Sequence, residues 1–434
     1  MTSPADPTER PFGFWTATAL IVGGMVGSGI FLLPAALAPF GWTGVLAWVI
    51  SIIGAISIAY VIARLAQAMP DASGIVAMTA HVLGTLPGAL VGWSYWVSTW
   101  AAVAAIAIAA ASYLSLFVSA LSATPLAGSL AATTIIWCLT ALNIAGAAVA
   151  GRFQVLTTLL KLLPMIAVIL TLAIIVPSGQ APLAPMPPAN ALMTSLFAAV
   201  TLTLFPLLGF ECAGVVAERV RDPARTIMRA TMAGTAFTGL VYILISSGMV
   251  LTLPTATLAS STAPFALFIE SWVGAGASAW VAAFAAVAAI GALNGWVLIQ
   301  GEVPLGMARA GLLPAWFART DKRGVPLRVL LLSSLLASLL VLSNASASLG
   351  GVFTFAALLT TCASLWLYAA ICVAALMRRI AVPPALIGLL FCAAAMWGAG
   401  WRASGLSLLL MLSALPVYWL RQLPKNPPKQ AAVA

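Results

Sequence analysis

Charged side chains are scarce in this sequence. Only 6% of its 434 residues are Asp, Glu, Lys or Arg, whereas a soluble domain carries about a quarter. Hydrophobic residues make up 63% of the chain. These proportions exclude a soluble domain, a disordered chain and a secreted disulfide scaffold. At about 20 apolar residues per bilayer crossing, the chain can hold about a dozen transmembrane helices.

Residues that carry catalysis or bind metals are also few. The chain has one histidine, nine dispersed acidic residues and five cysteines, and the cysteines lie singly inside apolar runs. A membrane enzyme needs clustered His, Cys or carboxylate side chains, and a metal site needs paired spacings. We therefore expect no enzyme activity, no catalytic residue, no metal and no cofactor.

Basic residues are scattered between the apolar runs, so the net charge of +10 indicates topology and not nucleic-acid binding. With the N-terminus inside, 17 of the 19 basic residues fall in inner segments. Arg402 falls outside, and Lys161 lies within a span. This bias predicts an even number of helices with both termini in the cytoplasm of a bacterial cell.

Twelve apolar stretches follow one another with short connectors, which leaves no room for a soluble domain. We predict an all-α membrane protein with cytoplasmic tails at 1–12 and 421–434 and one transmembrane domain at 13–420. The stretches lie at 13–38, 43–66, 84–118, 126–148, 153–177, 192–217, 230–254, 276–302, 326–343, 350–377, 381–398 and 403–420.

Two stretches carry helix-breaking residues at mid-depth. The first contains GGMVGSGIFLLP at 23–34, and the sixth contains FPLLGFE at 205–211. Each interior Gly costs a helix about 1 kcal/mol and each Pro about 3 kcal/mol, and non-helical backbone persists at membrane depth only where it is buried or lines a cavity. A close-packing seam is the alternative for the first stretch.

The two breaks lie in the first and sixth stretches. If the chain is built as two repeats of five helices followed by two more helices, each break falls in the first helix of a repeat. Paired interruptions of this kind indicate a transporter site at the repeat interface. Freed backbone N–H groups there can hold a carboxylate, and freed carbonyls can accept hydrogen bonds from an ammonium group. The combination suits the two backbone groups of an amino acid.

These residues resemble the amino acid–polyamine–organocation transporters, especially the bacterial arginine/agmatine antiporters and the L-type exchangers. Besides GSGIFLLP and Gly209-Phe210-Glu211, the matching motifs are 218–223 (ERVRDP) followed by Arg225, 261–265 (STAPF), Gly295-Trp296 and 307–314 (MARAGLLP). The resemblance implies inverted repeats at about 13–177 and 192–377, extra helices at about 381–420, alternating access and a homodimer.

The resemblance also assigns a substrate site. Backbone of the first break would hold the carboxylate, carbonyls of both breaks would take the amine, Phe205 would be a gate, and the third stretch would face the substrate side chain. The residues are Gly24, Met25, Gly27, Ser28, Gly29, Tyr95, Ser98, Thr99, Val103, Ile106, Phe205, Leu208 and Trp296. A residue of the tenth stretch, Thr361 or Tyr368, would join them.

Two departures from the arginine antiporter bear on the substrate. Its asparagines in the first and third helices correspond here to Gly24 and Val103. Because a buried guanidinium needs acceptors, we expect a neutral or hydrophobic amino acid. Exchange of cationic amino acids or polyamines, export of neutral amino acids, a channel and a receptor are the alternatives. A channel is disfavoured because no selectivity filter or charge ring is visible, and a receptor is disfavoured by twelve spans with matched breaks.

Two ionisable residues inside the apolar stretches are candidates for coupling. A lysine at mid-span is costly, and Lys161 resembles one that replaces the bound ion of sodium-dependent relatives. It would either carry a coupled proton or act as a fixed, sodium-independent substitute. Glu211 beside the second break would be a proton site or a structural hydrogen-bond acceptor.

Overall fold

The computed structural model describes residues 14–27, 29–69, 74–145, 157, 160–211, 223–343 and 345–421, and these residues form helices and connecting turns without a strand. The α-helices are α1 (Phe14–Met25), α2 (Gly29–Leu37), α3 (Trp42–Ala68), α4 (Ile75–Leu83), α5 (Thr85–Leu114), α6 (Pro125–Ile144), α7 (Leu162–Ile175), α8 (Ala189–Thr194), α9 (Leu196–Leu204), α10 (Pro223–Thr252), α11 (Thr255–Ala259), α12 (Pro264–Trp272), α13 (Ala275–Arg309), α14 (Leu327–Ser343), α15 (Leu349–Met377), α16 (Val382–Gly398), α17 (Gly400–Leu412) and α18 (Ala414–Leu420).

Described helices fall within all twelve apolar stretches. In the described residues, seven segments are long and apolar enough to cross a membrane, and α17 with α18 forms one of them. Shorter apolar helices occupy the remaining stretches. The connector between the second and third stretches is itself partly helical. There α4 forms a short helix between Gly74 and Gly84, two glycines at positive φ that permit sharp turns at both ends.

Helix α5 is the centre of the bundle, because it is buried over nearly its whole length. It packs against α13 on one side and α15 on another. Near its C-terminal end, the Tyr113 hydroxyl donates to the Phe31 carbonyl at 2.9 Å and accepts from the Phe265 N–H at 3.3 Å. This residue therefore joins α5 to both α2 and α12, which fixes the position of the short helix α2.

The outer surface of the bundle is apolar, as lipid contact requires. Trp397 and Trp401 are 80% and 85% exposed near one end of the bundle, and Trp419 is 61% exposed near the other. Trp401 and Trp419 are separated by about 27 Å of helix, close to the thickness of a bilayer's hydrocarbon core. Tryptophans at both boundaries are typical of a membrane protein.

Both stretches with helix breakers are interrupted. Helix α1 ends at Met25 and the chain is helical again from Gly29, where α2 begins. Helix α9 ends at Leu204 and passes through a 3₁₀ turn at Phe205–Leu207 into an extended residue, Leu208. The next residue, Gly209, has a φ of +109°, which side chains other than glycine rarely adopt.

The packing of α3 on α16 yields a stability prediction. A Cβ atom at the buried Gly54 would overlap the ring of Phe391. We expect Gly54→Ala to lower the melting temperature of the detergent-solubilised protein by several degrees, because overpacking costs about 1–3 kcal/mol. Adding Phe391→Leu should restore part of the loss.

Gly306→Ala is the matched control, since a Cβ at this exposed position of α13 meets nothing within 4 Å. Its higher helix propensity, worth about 1 kcal/mol, should keep or raise the melting temperature. Equal melting temperatures for the two alanine variants would contradict the described contact between α3 and α16.

Candidate substrate site

A cavity lies where the two interrupted stretches meet α5 and α13. It contains about 270 Å³ of space that no atom fills, part of which is open to solvent. Its lining is apolar apart from exposed backbone, and it comprises Met25, Gly27, Gly29, Ala102, Ile106, Phe205, Pro206, Leu208 and Trp296.

Glycine allows the two interruptions to approach each other closely. A Cβ atom on Gly29 would lie 2.9 Å from the Cβ of Pro206 and 3.2 Å from a ring carbon of Phe205. A Cβ on Gly27 would lie 3.3 Å from the Cβ of Ala292 on α13. A side chain at Gly29 would therefore fit only if the opposite segment, at Phe205 and Pro206, moved.

Seven of the residues singled out in the sequence line this one cavity. They are Met25, Gly27, Gly29, Ile106, Phe205, Leu208 and Trp296. Gly24 lies in the last turn of α1 beside it, and Ser28 lies outside the described residues.

The other α5 residues expected at the site lie away from the cavity. The hydroxyls of Ser98 and Thr99 donate within their own helix, to the carbonyls of Tyr95 and Trp96 at 2.6 Å. Val103 is fully buried and does not line the cavity. Ala102, which had not been expected at the site, lines the cavity together with Ile106, the residue four positions later on the same face of α5.

Backbone groups at the interruptions are only partly used within the protein. The Met25 carbonyl accepts a hydrogen bond from the Tyr242 hydroxyl at 2.9 Å, and the Phe205 carbonyl accepts one from the Leu208 N–H at 3.2 Å. A carbonyl oxygen has two lone pairs, so each of these oxygens can accept a second hydrogen bond. An ammonium group of a substrate is a suitable donor.

Glu211 lies in a separate polar cluster, which we call the inner cluster, with Tyr95 and Tyr368. The Tyr95 hydroxyl donates to one carboxylate oxygen at 2.7 Å, and the Gly209 N–H donates to the other at 3.0 Å. Tyr368 on α15 also lies against this carboxylate and packs its ring on Phe210, with ring centroids 5.3 Å apart. Tyr368 thus belongs to the inner cluster, and neither it nor Thr361 lines the cavity.

A larger space, the vestibule, lies on the other side of the cavity. It contains about 1770 Å³ of space that no atom fills, part of which is open to solvent. It is lined by residues of α2, α5, α15 and α17 and of the connection before α12, including Ser112, Thr262, Ser348, Phe353, Thr354 and Arg402. Phe353 lines the vestibule and Phe205 lines the cavity, and their rings meet edge to face with centroids 5.7 Å apart. This aromatic pair separates the two spaces.

Residues of α5 give the order of these features along the bundle. Ala102 at the cavity is seven residues, or about 10 Å, from Tyr95 of the inner cluster. Ser112 at the vestibule is six residues, or about 9 Å, beyond Ile106. The inner cluster, the cavity and the vestibule therefore follow one another along the helix axis.

Lys161 immediately precedes α7 and is 1% exposed. Its ammonium nitrogen lies 3.4 Å from the Gly23 carbonyl, in the last turn of α1. Carbonyls at a helix C-terminus lack intrahelical partners and carry partial negative charge, so they favour a cation. Lys161 thus links α7 to the interrupted first stretch behind the cavity.

Known proteins with similar sequences are transporters. The chain is 33% identical over 352 residues to the cadaverine/lysine antiporter of Escherichia coli (strain K12), which covers 79% of this chain and 77% of the relative. It is 29% identical to the putative arginine/ornithine antiporter of Bacillus subtilis (strain 168), over 77% of each protein. It is 27% identical to the putrescine transporter PotE of Escherichia coli (strain K12), over 80% of this chain and 78% of the relative.

These names do not support the expectation of a neutral substrate, since cadaverine, lysine, ornithine and putrescine all carry side-chain or terminal ammonium groups. The sequence model of the family described as amino acid permease matches residues 12–429, nearly the whole chain. Together with the motifs of the two interrupted stretches, this match shows that the chain belongs to the amino acid permeases of the amino acid–polyamine–organocation superfamily.

Proposed function

We propose that this protein is an antiporter that exchanges a basic amino acid for a diamine across the bacterial cytoplasmic membrane. The observation that carries the proposal is the cavity between the two interruptions, with the half-buried carboxylate of Glu211 held by Tyr95, which is seven residues, or about 10 Å, along α5 from Ala102 at the cavity. Interrupted backbone offers partners to the α-amino and α-carboxylate groups. Glu211 offers a negative charge to the second ammonium group as the substrate moves inward.

The relatives support a cationic substrate over a neutral one. Three of them are named for lysine, cadaverine, arginine, ornithine or putrescine. A neutral amino acid is the second candidate, because the Ala102, Ile106 and Trp296 side chains present an apolar wall. The two candidates differ in whether the inner cluster contacts the substrate.

Alternating access follows from closures on the two sides of the cavity. We propose twelve spans in five-plus-five inverted repeats, with helices α1–α7 and α8–α15 in the halves and both termini in the cytoplasm. The vestibule then faces outward, and the inner cluster closes the cytoplasmic side. Opening inward requires α5 and the Gly209–Glu211 segment to separate, which breaks the 2.7 Å hydrogen bond from Tyr95. We also propose that the protein is a homodimer.

The experiment that tests the function is preloaded exchange in proteoliposomes. Purified protein is reconstituted, the vesicles are loaded with lysine, cadaverine, arginine, putrescine or leucine, and uptake of each labelled compound is measured. We expect lysine or arginine inside to accelerate cadaverine or putrescine uptake at least tenfold over empty vesicles. Acceleration by leucine alone would support the neutral candidate, and uptake without dependence on preloading would contradict an antiporter.

Removing the Tyr95 hydroxyl should weaken the inner closure. In Tyr95→Phe, Glu211 loses a charge-assisted hydrogen bond, an interaction worth about 1.5–3 kcal/mol. We expect the apparent KM for substrate added on the vestibule side to rise about threefold to tenfold, because fewer molecules keep the cytoplasmic side closed.

Tyr60→Phe is the matched control, since Tyr60 on α3 lines neither the cavity nor the vestibule. Its KM should stay at the wild-type value. If Tyr95→Phe leaves the KM equally unchanged while Glu211→Gln changes it, the carboxylate acts on the substrate independently of the closure.

Lys161 should be needed for exchange without sodium. Its charge lies against carbonyls at the end of α1, which an uncharged side chain cannot satisfy. We expect Lys161→Met to reduce exchange at least tenfold at pH 7 in sodium-free buffer, whereas the same change at the exposed Lys322 should have no effect. If Lys161 carries a fixed charge, the exchange rate of the wild type should be constant between pH 5 and 8. If Lys161 carries a coupled proton, this rate should change steeply with pH.

Normal exchange by Lys161→Met across this pH range would eliminate both roles of the lysine. A melting temperature should be measured for each variant. A loss of exchange with unchanged melting temperature separates a transport role from a contribution to folding.

A further inference from the structure

The described lining of the vestibule carries charge of one sign. Arg402 is the one ionisable side chain among the described residues that line it, and the remaining polar lining consists of hydroxyls such as those of Ser112, Ser260 and Thr354. The guanidinium is exposed to solvent within this space. A space with one cation and no facing carboxylate has a positive potential.

The position of Arg402 in its helix is electrostatically unfavourable. It is the third residue of α17, and the N-terminal turn of a helix carries partial positive charge that disfavours a cation. The first residues of α15 line the same vestibule, so a second helix begins there. Helix α16 ends at Gly398 and Ala399 lines the same vestibule, so the partial negative charge of that helix end offsets part of this cost. The arginine itself lines the vestibule, where a charged molecule passing through would meet it.

We propose that Arg402 is a specificity-determining residue that makes the vestibule a transient binding site for the carboxylate of an amino acid. This inference rests on the proposed exchange of basic amino acids and diamines. Lysine and cadaverine differ only in the α-carboxylate, so lysine carries one net positive charge and cadaverine carries two. Arg402 attracts the carboxylate of the first and repels the dication more strongly, so it favours amino acid loading from the vestibule side.

Discrimination at this point precedes binding in the cavity. Phe205 and Phe353 separate the two spaces, so a substrate in the vestibule has not yet reached the interrupted backbone. The cavity lining contains no ionisable side chain among the described residues. The vestibule is therefore the first place on the proposed outward-facing path where a carboxylate meets a fixed positive charge.

The test compares lysine and cadaverine uptake from the vestibule side in proteoliposomes at low ionic strength. We expect Arg402→Gln to lower the lysine-to-cadaverine ratio of kcat/KM about twofold to fivefold, the size of one unit charge acting through water, mainly through KM. Arg402→Glu should lower the ratio further, and Arg402→Lys should preserve it. The differences should shrink in 0.5 M salt, because screening weakens interactions between exposed charges.

Arg328→Gln is the matched control. Arg328 is exposed near the start of α14, and the 17 residues of that helix, about 25 Å, separate this end from the connection that leads to the vestibule. The lysine-to-cadaverine ratio of kcat/KM in Arg328→Gln should equal the wild-type ratio. An unchanged ratio in both Arg402→Gln and Arg402→Glu would overturn the proposal, as would an Arg402→Lys variant that shifts as far as Arg402→Gln.

A second measurement does not depend on transport. Thr354→Cys, at a half-buried position of the vestibule lining, is introduced into a Cys138→Ser background, because Cys138 is exposed. The rates of its modification by anionic and cationic methanethiosulfonate reagents are then compared. Arg402→Gln should lower the anionic-to-cationic rate ratio about twofold to fivefold.

The two measurements separate the two proposals. If the wild type exchanges neither lysine nor cadaverine but the reagent ratio falls in Arg402→Gln, the proposed function fails and the charge filter stands. If exchange occurs and the reagent ratio is unchanged, the function stands and the role of Arg402 is refuted.

Discussion

Hydrogen bonding of the backbone is the constraint on which the rest of this structure depends. Inside an apolar bundle, every N–H and C=O group that leaves a helix needs a partner. The chain leaves helical geometry twice next to one cavity, after Met25 and after Leu204. Tyr242 and Lys161 satisfy part of the first break from the side away from the cavity. The groups that remain can bind a polar substrate in an apolar protein that has few charged side chains.

Close contact between the two breaks depends on small residues. Because residue 29 is glycine, α2 lies so close to Pro206 that a Cβ atom would not fit between them. Gly209 adopts a positive φ, which lets its N–H reach Glu211. Backbone geometry thus positions the carboxylate of the inner cluster as well as the cavity. A movement of the Gly209–Glu211 segment changes the cavity lining at Leu208 and the contact with Tyr95 together, which is how substrate binding can be coupled to opening of the inner side.

Helix breakers and apolar runs predicted the cavity well, and the family resemblance predicted the contribution of α5 less well. The cavity residues of the two breaks, such as Gly27 and Leu208, could be found because glycine and proline are unfavourable inside a membrane helix unless its backbone is interrupted there. Of the α5 residues assigned by resemblance, Ile106 lines the cavity and Ser98, Thr99 and Val103 do not, whereas Ala102 lines it without having been assigned. No sequence signal pointed to Phe353, since its role arises from packing against a distant residue, Phe205. The preference for a neutral substrate was inferred from the missing asparagines, and the names of the relatives do not support it.

Charge is distributed unevenly along the proposed path, and this bears on a substrate with two ammonium groups. The vestibule has a cation, the cavity lining has no ionisable side chain in the described residues, and the inner cluster has a carboxylate. A dication is therefore repelled on the vestibule side and attracted on the inner side, whereas an amino acid presents its own carboxylate to Arg402. If the vestibule faces outward, this gradient favours loading of the amino acid from outside and of the diamine from inside. Fixed charges at the two ends of the path would then decide which substrate loads faster from each side, with no need for a cavity that distinguishes the two substrates, whereas the substrate gradients set the direction of net exchange.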